Sequence, residues 1–412
     1  MKLGIGFVTG RRGFRNLLRT YINNWNEHGL VTDRSTELRL FVAYDLAYFN
    51  TSVRDYKGLD PALAAHLQGV DYYGRTRIRE ESRLLVREGV LDAREAELLF
   101  GEGYGRKRNA VVYAAVRNRM DALLFIDDDE YPMAVSEEDG LVSWTGQGVA
   151  SAHLESIGRA DLTHGRHCGY ISPIPFVRFD GTLTEELFGE FVEALSNDII
   201  SWEKIRRTVL GNRGITWADR GVLRDRPVVE VPEEGGMKFI SGANLCFNLA
   251  RIERIAPFYN PPGARGEDTF LATCLSDNTV LRVPCYTFHD GFLTYQNLLH
   301  GVLPRELQPV LADSRPTISR FARAAVGWTR YKPLLTYITR RGDFEATVES
   351  MRAAFRRAVP ALRAHFGTTE FDRIGAELDA YAKNAPRHFE SFERTKTAWR
   401  KAVVWARANP AT

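Results

Sequence analysis

The stretch LLFIDDDEYP, residues 123–132, constrains this chain more than any other. Leu123 to Ile126 form an apolar run that reads as a buried strand. The run empties into Asp127, Asp128, Asp129 and Glu130 before Pro132 closes the turn. Adjacent carboxylates repel, so a row of them at a strand exit needs cations, hydrogen-bond donors or water to hold it. In open α/β sheets ligands bind outside the carboxyl ends of the strands. Hard divalent ions that bridge phosphates ask the protein for one or two carboxylates. Two readings follow: a metal–nucleotide site, or a solvated acidic turn.

The preceding residues read as a parallel sheet in the making. KLGIGFVT, residues 2–9, is a strand, and Gly10 to Gly13 the turn after it. Leu17, Leu18, Tyr21, Ile22 and Trp25 recur at helical spacing until Gly29 ends the pattern. LRLFVAYD, residues 38–45, is a second strand, and a strand–helix–strand unit with short connections starts a parallel sheet. Thr9, Arg11, Tyr44 and Asp45 at these strand ends suit a base and ribose, although Asp45 alone could simply begin a loop. Residues 57–103 read as helical and irregular, with Asp92 capping AREAELLF. YGRKRN, residues 104–109, then opens a helix carrying Val111, Val112, Ala115 and Val116. A basic turn at a helix N-terminus favours an anionic phosphate; the plainer reading of Lys107 and Arg108 is surface charge.

The run YGRKRNAVVYAAVRNRMDALLFIDDDEYP resembles the core of nucleotide-sugar glycosyltransferases of the GT-A fold. In that family a basic residue followed by Asn opens a helix, and the next strand ends in an Asp-x-Asp motif. The match is tight over residues 100–135 and loose over the first 45. Two later stretches keep the family's order: SGAN at 241–244 and GED at 266–268, which in the family line the acceptor side. A third is VLRVPCYTFHDGF, residues 280–292, where a strand ends in His289 with Asp290 as an alternative. Many members use a C-terminal His as a further metal ligand.

The resemblance implies a GT-A-like, Rossmann-type α/β/α sandwich with a mostly parallel central sheet and a helical C-terminal appendage. Residues 1–135 would form the nucleotide-sugar half, 136–300 the acceptor half and 301–412 the helical region. Asp129, Asp127 and His289 would hold Mn²⁺ or Mg²⁺. Thr9, Arg11, Tyr44, Asp45, Arg108, Asp127 and Asp128 would bind a nucleoside-diphosphate sugar, with a UDP-sugar favoured. Asp268 would be the catalytic base of an inverting transfer to a hydroxyl on a glycan, small molecule or lipid-linked acceptor, supported by Glu267. A retaining transferase, a sugar-phosphate nucleotidyltransferase and a non-catalytic carbohydrate- or nucleotide-binding protein are the alternatives.

Elsewhere the pattern is less specific. His164 and His167 read as loop histidines rather than ligands, and Ile171 to Phe176 as an extended or edge segment because of Pro173 and Pro175. A helix is expected over about 184–208, with Phe188, Phe191, Val192 and Leu195 on one face. A strand over 238–247 should break at Ser241 and Gly242. Trp202 and Trp217 suit a core better than a sugar platform.

At 412 residues with 44% hydrophobic and 26% charged residues, the chain has ordinary globular composition and length for two or three domains. No stretch looks like a signal peptide, and no apolar run approaches the about 20 residues of a membrane span. Four scattered cysteines without a CxxC pair argue against zinc and for free thiols in a reducing, cytoplasmic setting. Residues 301–412 hold 20 Lys/Arg against 11 Asp/Glu, while the rest holds 35 against 41. That basic, helical tail is a candidate for peripheral membrane contact or homo-oligomerisation; no nucleic-acid partner is expected. Within it, Met351, Phe355, Val359, Leu362 and Phe366 form a stripe that Pro360 should kink or restart.

Overall fold

The computed structural model describes residues 1–31, 36–197 and 201–411. Its strands are β1 Lys2–Thr9, β2 Glu37–Tyr44, β3 Gly69–Tyr73, β4 Ala122–Phe125, β5 Glu130–Tyr131, β6 Met133–Glu138, β7 Leu141–Gly146, β8 Leu162–Tyr170, β9 Val229–Glu230, β10 Glu233–Glu234, β11 Met237–Lys238, β12 Leu245–Asn248 and β13 Val280–Asp290. Two pairs, β6–β7 and β10–β11, are separate hairpins. The rest form a nine-stranded sheet in the order β3-β2-β1-β4-β12-β8-β13-β5, with β9 beside β13.

The sheet is mixed, which corrects the expectation of a mostly parallel one. β3, β2, β1 and β4 are parallel neighbours, and β8 is parallel to β13. β12 runs against both β4 and β8, and β5 and β9 run against β13. The reversal of β12 has a positional consequence. A reversed strand begins at the edge where its neighbours end, so Ser241–Asn244, which lead into β12, lie beside the carboxyl end of β4. β3 is a second correction, because residues 57–103 read as helical from their polar pattern. As an outer strand with most of its side chains only partly buried, β3 lacks the apolar run by which a central strand is recognised.

β4 shows why the apolar run was legible. Leu123 and Phe125 enter the core on one face of the sheet, while Ala122, Leu124 and Ile126 enter the core on the other. A strand buried on both faces has no polar side, so it reads as continuous hydrophobicity. On the first face lie the helices Arg75–Arg87, Ala93–Phe100 and Tyr104–Arg117. The last of these packs close because β1 carries glycine opposite it: a Cβ on Gly6 would stand 2.9 Å from Val111. Helices Phe14–Glu27 and Val149–Ile157 cover the other face.

The C-terminal helices contribute to two cores. Helix Ala385–Ala408 covers the first face, with Phe392, Trp399 and Val403 buried there and the Trp399 indole N–H donating to the Ile255 carbonyl at 3.1 Å. A third core joins helices Arg315–Thr339, Phe344–Phe366 and Ile374–Lys383 to Glu185–Leu195 from the middle of the chain. Helix Phe344–Phe366 continues through Pro360, so of the expected kink or restart the restart does not occur. The expected 184–208 helix ends at Leu195 and a new one starts at Trp202; residues 198–200 of that span lie outside the described residues. Trp202 packs on Phe188 in the third core.

Candidate functional site

Asp127, Asp128 and Asp129 leave β4 together and then diverge, each towards a different element. Asp128 turns to the end of β1, where it accepts from the Thr9 hydroxyl at 2.6 Å and pairs with Arg11 Nε at 2.9 Å. The same guanidinium reaches Asp129 Oδ2 at 2.7 Å. Asp127 accepts from the Tyr104 hydroxyl at 2.9 Å and from Arg108 Nη2 at 2.8 Å. Glu130, on β5, accepts from the Thr287 hydroxyl at 3.0 Å and lies 3.1 Å from His167 Nε2.

His289 reaches the cluster through backbone pairing. β13 is antiparallel to β5 with His289 opposite Glu130, and the Asp290 N–H donates to the Asp129 carbonyl at 2.8 Å. His289 Nδ1 lies 2.7 Å from the Tyr170 carbonyl oxygen, which can only accept, so Nδ1 carries a proton. Nε2 then faces Asp129 Oδ2 at 3.5 Å. Asp290 is a structural residue: its carboxylate accepts from the backbone N–H groups of Thr294 and Tyr295.

Arg108 is the tie between the acidic cluster and the later motifs. It is 1% exposed, donates to the Gly242 carbonyl and Asp127, and lies 3.6 Å from Glu267. The rings of Tyr104, Phe125 and Phe258 enclose it at 4.9–5.4 Å. Asn109, its neighbour, clamps both backbone groups of Phe258 at 2.9 Å. Asp268 accepts from the Gly242 N–H at 3.1 Å and the Thr269 N–H at 2.8 Å. Asn244 is buried at positive φ and bonded to His153 and the β8 backbone, so it shapes the sheet.

Burial sets the electrostatics here. It pushes Asp127 up, and Asp128 up to about 7, Arg11 and Arg108 only partly opposing it. Glu267 is pushed up to about 7 by burial and by the charge of Asp268. For Asp129 burial is outweighed by His289, Arg11 and Arg320, which hold its carboxyl below the ordinary range. His167 goes up because Glu130 outweighs its burial. Such opposed shifts within one cluster mark functional sites more often than plain surfaces.

No protein-family model matches the chain, and neither does any curated protein.

Two expected nucleoside contacts are engaged elsewhere. Tyr44 stacks on Tyr56 at 5.1 Å, and Asp45 pairs with Lys107 at 2.7 Å while capping the Ala47 N–H. Beside Arg11, the exposed Tyr48 and Phe49 offer open aromatic surface instead. His164 and His167 belong to β8 and not to a loop, a correction whose cause is local: Gly and Arg between them broke the apolar pattern of a strand. Sequence reasoning also missed Tyr104, Thr287 and Arg320. Tyr104 sits inside YGRKRN and was recoverable from its position; nothing in the sequence around Arg320 signals it. Among the described residues no group of three or more His, Cys, Asp or Glu side chains forms a metal cage. Asp129 and His289 do fit as a pair, the far imidazole nitrogen being fixed by a backbone carbonyl as metal-ligating histidines require.

Proposed function

We propose that the chain is a glycosyltransferase that moves a sugar from a nucleoside-diphosphate sugar to a hydroxyl acceptor. The observation that carries this reading is the meeting of the Asp127–Asp129 strand end with Arg11, His289 and the Glu267–Asp268 turn at one edge of the sheet. That gathering supports the resemblance to GT-A enzymes, whose finer strand arrangement and inverting course belong to the proposal. A binding protein would need the anion-holding groups but not a carboxylate pair opposite them.

Asp129 and His289, with Asp127 through water, would hold a Mn²⁺ or Mg²⁺ ion, which when bound neutralises charge developing on the leaving nucleoside diphosphate. Thr9 and Arg11 frame the nucleoside side, and Arg11 must exchange part of its hold on Asp128 and Asp129 for donor phosphate. Arg108 keeps the acidic strand and the Glu267–Asp268 turn in register. Asp268, oriented by two backbone N–H groups, takes the acceptor hydroxyl's proton; it must come within about 3.2 Å of that oxygen to do so. Glu267, its carboxyl pushed up to about 7, binds the sugar or acceptor, donating in its protonated form.

The test is release of nucleoside diphosphate from a panel of UDP-, GDP- and dTDP-sugars with Mn²⁺ and simple hydroxyl acceptors. Release with one sugar, lost on adding a chelator, is the expected result. Consumption of nucleoside triphosphate with pyrophosphate release would replace this reading with nucleotidyl transfer.

A further inference from the structure

We infer that Arg320, together with Arg11 and Arg265, forms a cleft for a phosphoryl group, so that the C-terminal helical region supplies part of the site. The inference rests on the glycosyl-transfer reading for its donor, although the anion cleft stands or falls on its own binding data. Arg320 lies near the start of helix Arg315–Thr339, and its guanidinium donates to the Gly291 carbonyl in the turn after β13 and stacks on Phe292 at 4.6 Å. Its Nε is buried without a hydrogen-bond partner among the described residues. Its charge lies close enough to Asp129, Arg11 and Arg265 for each to act on it.

Glycines make room for these arginines. A Cβ on Gly291 would stand 2.7 Å from both Arg320 Nη2 and His289 Cε1, so Arg320 and the proposed ion ligand crowd the same backbone turn. A Cβ on Gly327 would stand 2.9 Å from Arg265 Cγ. Gly327 is seven residues beyond Arg320, two helical turns, so both crossings lie on one face of the helix. Glycine inside a helix is unfavourable, and here it admits an arginine stem. Neither Arg265 nor Arg320 makes an ion pair among the described residues. Asp129, the carboxylate that acts on Arg320, is already held by Arg11, so Arg265 and Arg320 are left without a paired anion of their own, and arginine's planar fork matches phosphoryl oxygens. The source is either the donor diphosphate or a phosphate on the acceptor.

Titration calorimetry on the full chain with Mn²⁺ separates these, using UDP, uridine, pyrophosphate and inorganic phosphate with wild type, Arg320→Gln, Arg320→Lys and Arg265→Gln. The expected result is UDP binding weakened at least ~10-fold by Arg320→Gln, with uridine unaffected, partial recovery in Arg320→Lys, and a smaller loss in Arg265→Gln. If UDP binds unchanged while phosphate binding to the UDP-saturated protein is lost, the cleft serves the acceptor. Arg265 is exposed, so its variant keeps the question open to measurement should Arg320→Gln fail to fold. Equal UDP and phosphate binding by wild type and variants overturns the inference and leaves the transferase reading intact. If wild type binds no nucleotide the transferase reading falls; pyrophosphate binding that Arg320→Gln or Arg265→Gln abolishes would still establish the cleft, and pyrophosphate binding indifferent to both would overturn it.

Discussion

Between helices Arg315–Thr339 and Ile374–Lys383, Glu377 receives both prongs of Arg330 at 2.6 and 2.8 Å and a third donor from Arg373 at 2.7 Å. At the sheet edge the proportion is reversed: Arg11 and Arg108 face Asp127, Asp128, Asp129 and Glu267. The electrostatic result differs in sign. The Arg330 hydrogen bonds hold Glu377 down to about 2, whereas burial drives Asp128 and Glu267 up to about 7. In the helical layer the same residue types saturate one another and fasten two helices. At the sheet edge carboxylates exceed the guanidinium groups that face them, and the surplus negative charge is tolerable when a cationic ligand completes the set.

Removing Arg108 should show the largest difference between the two clusters. Arg108→Met would leave Asp127 and Glu267 buried without their cation, and a loss of about 3–5 kcal/mol is expected in urea unfolding. A wild-type midpoint would mean that Arg108 is a ligand contact rather than the support of the site. Next come the reacting groups. Asp129→Ala and Asp268→Asn should each cut release of nucleoside diphosphate by about 100-fold or more, with Asp268→Asn still binding UDP. Turnover within a factor of ~3 of wild type in Asp268→Asn would remove it as the base.

The pH dependence of stability separates the clusters by sign. Glu267 binds its proton more tightly folded than unfolded, so its contribution is present below about 4.5 and is lost as pH rises through about 7. Glu267→Gln should therefore gain on wild type across that window, by about 3 kcal/mol at most. A flat difference would show that Glu267 is not held protonated. Glu377 behaves oppositely: its contribution is full above 4.5 and is lost as pH falls towards about 2. Glu377→Gln should cost about 1 kcal/mol or less at pH 7, because Arg373 and part of the pair are solvated, and nothing near pH 2. Chemical unfolding across pH reads both.

The first strand, the helix after it and the acidic strand end were legible because each has a short-range physical signature. Leu123–Ile126 could be read because a strand buried on both faces must be apolar throughout. β3 could not, being an outer strand with a polar share of side chains. Pro360 does not restart the helix: local rules weigh a missing N–H against it, while burial of Met351, Phe355, Leu362 and Phe366 on one side holds the helix through it.

By itself the sequence determined that Asp127–Glu130 stand at the mouth of a buried strand and that a basic helix start precedes them. Those are matters of nearest neighbours, spacing and apolar runs. Only the tertiary structure decided which carboxylate faces which partner. β12 had to enter antiparallel to bring Gly242 to Arg108, β13 had to pair with β5 to bring His289 to Asp129, and a C-terminal helix had to dock to bring Arg320 to Asp129. These pairings join residues more than a hundred positions apart, and they are chosen by the burial of whole faces rather than by any local preference of the residues they bring together.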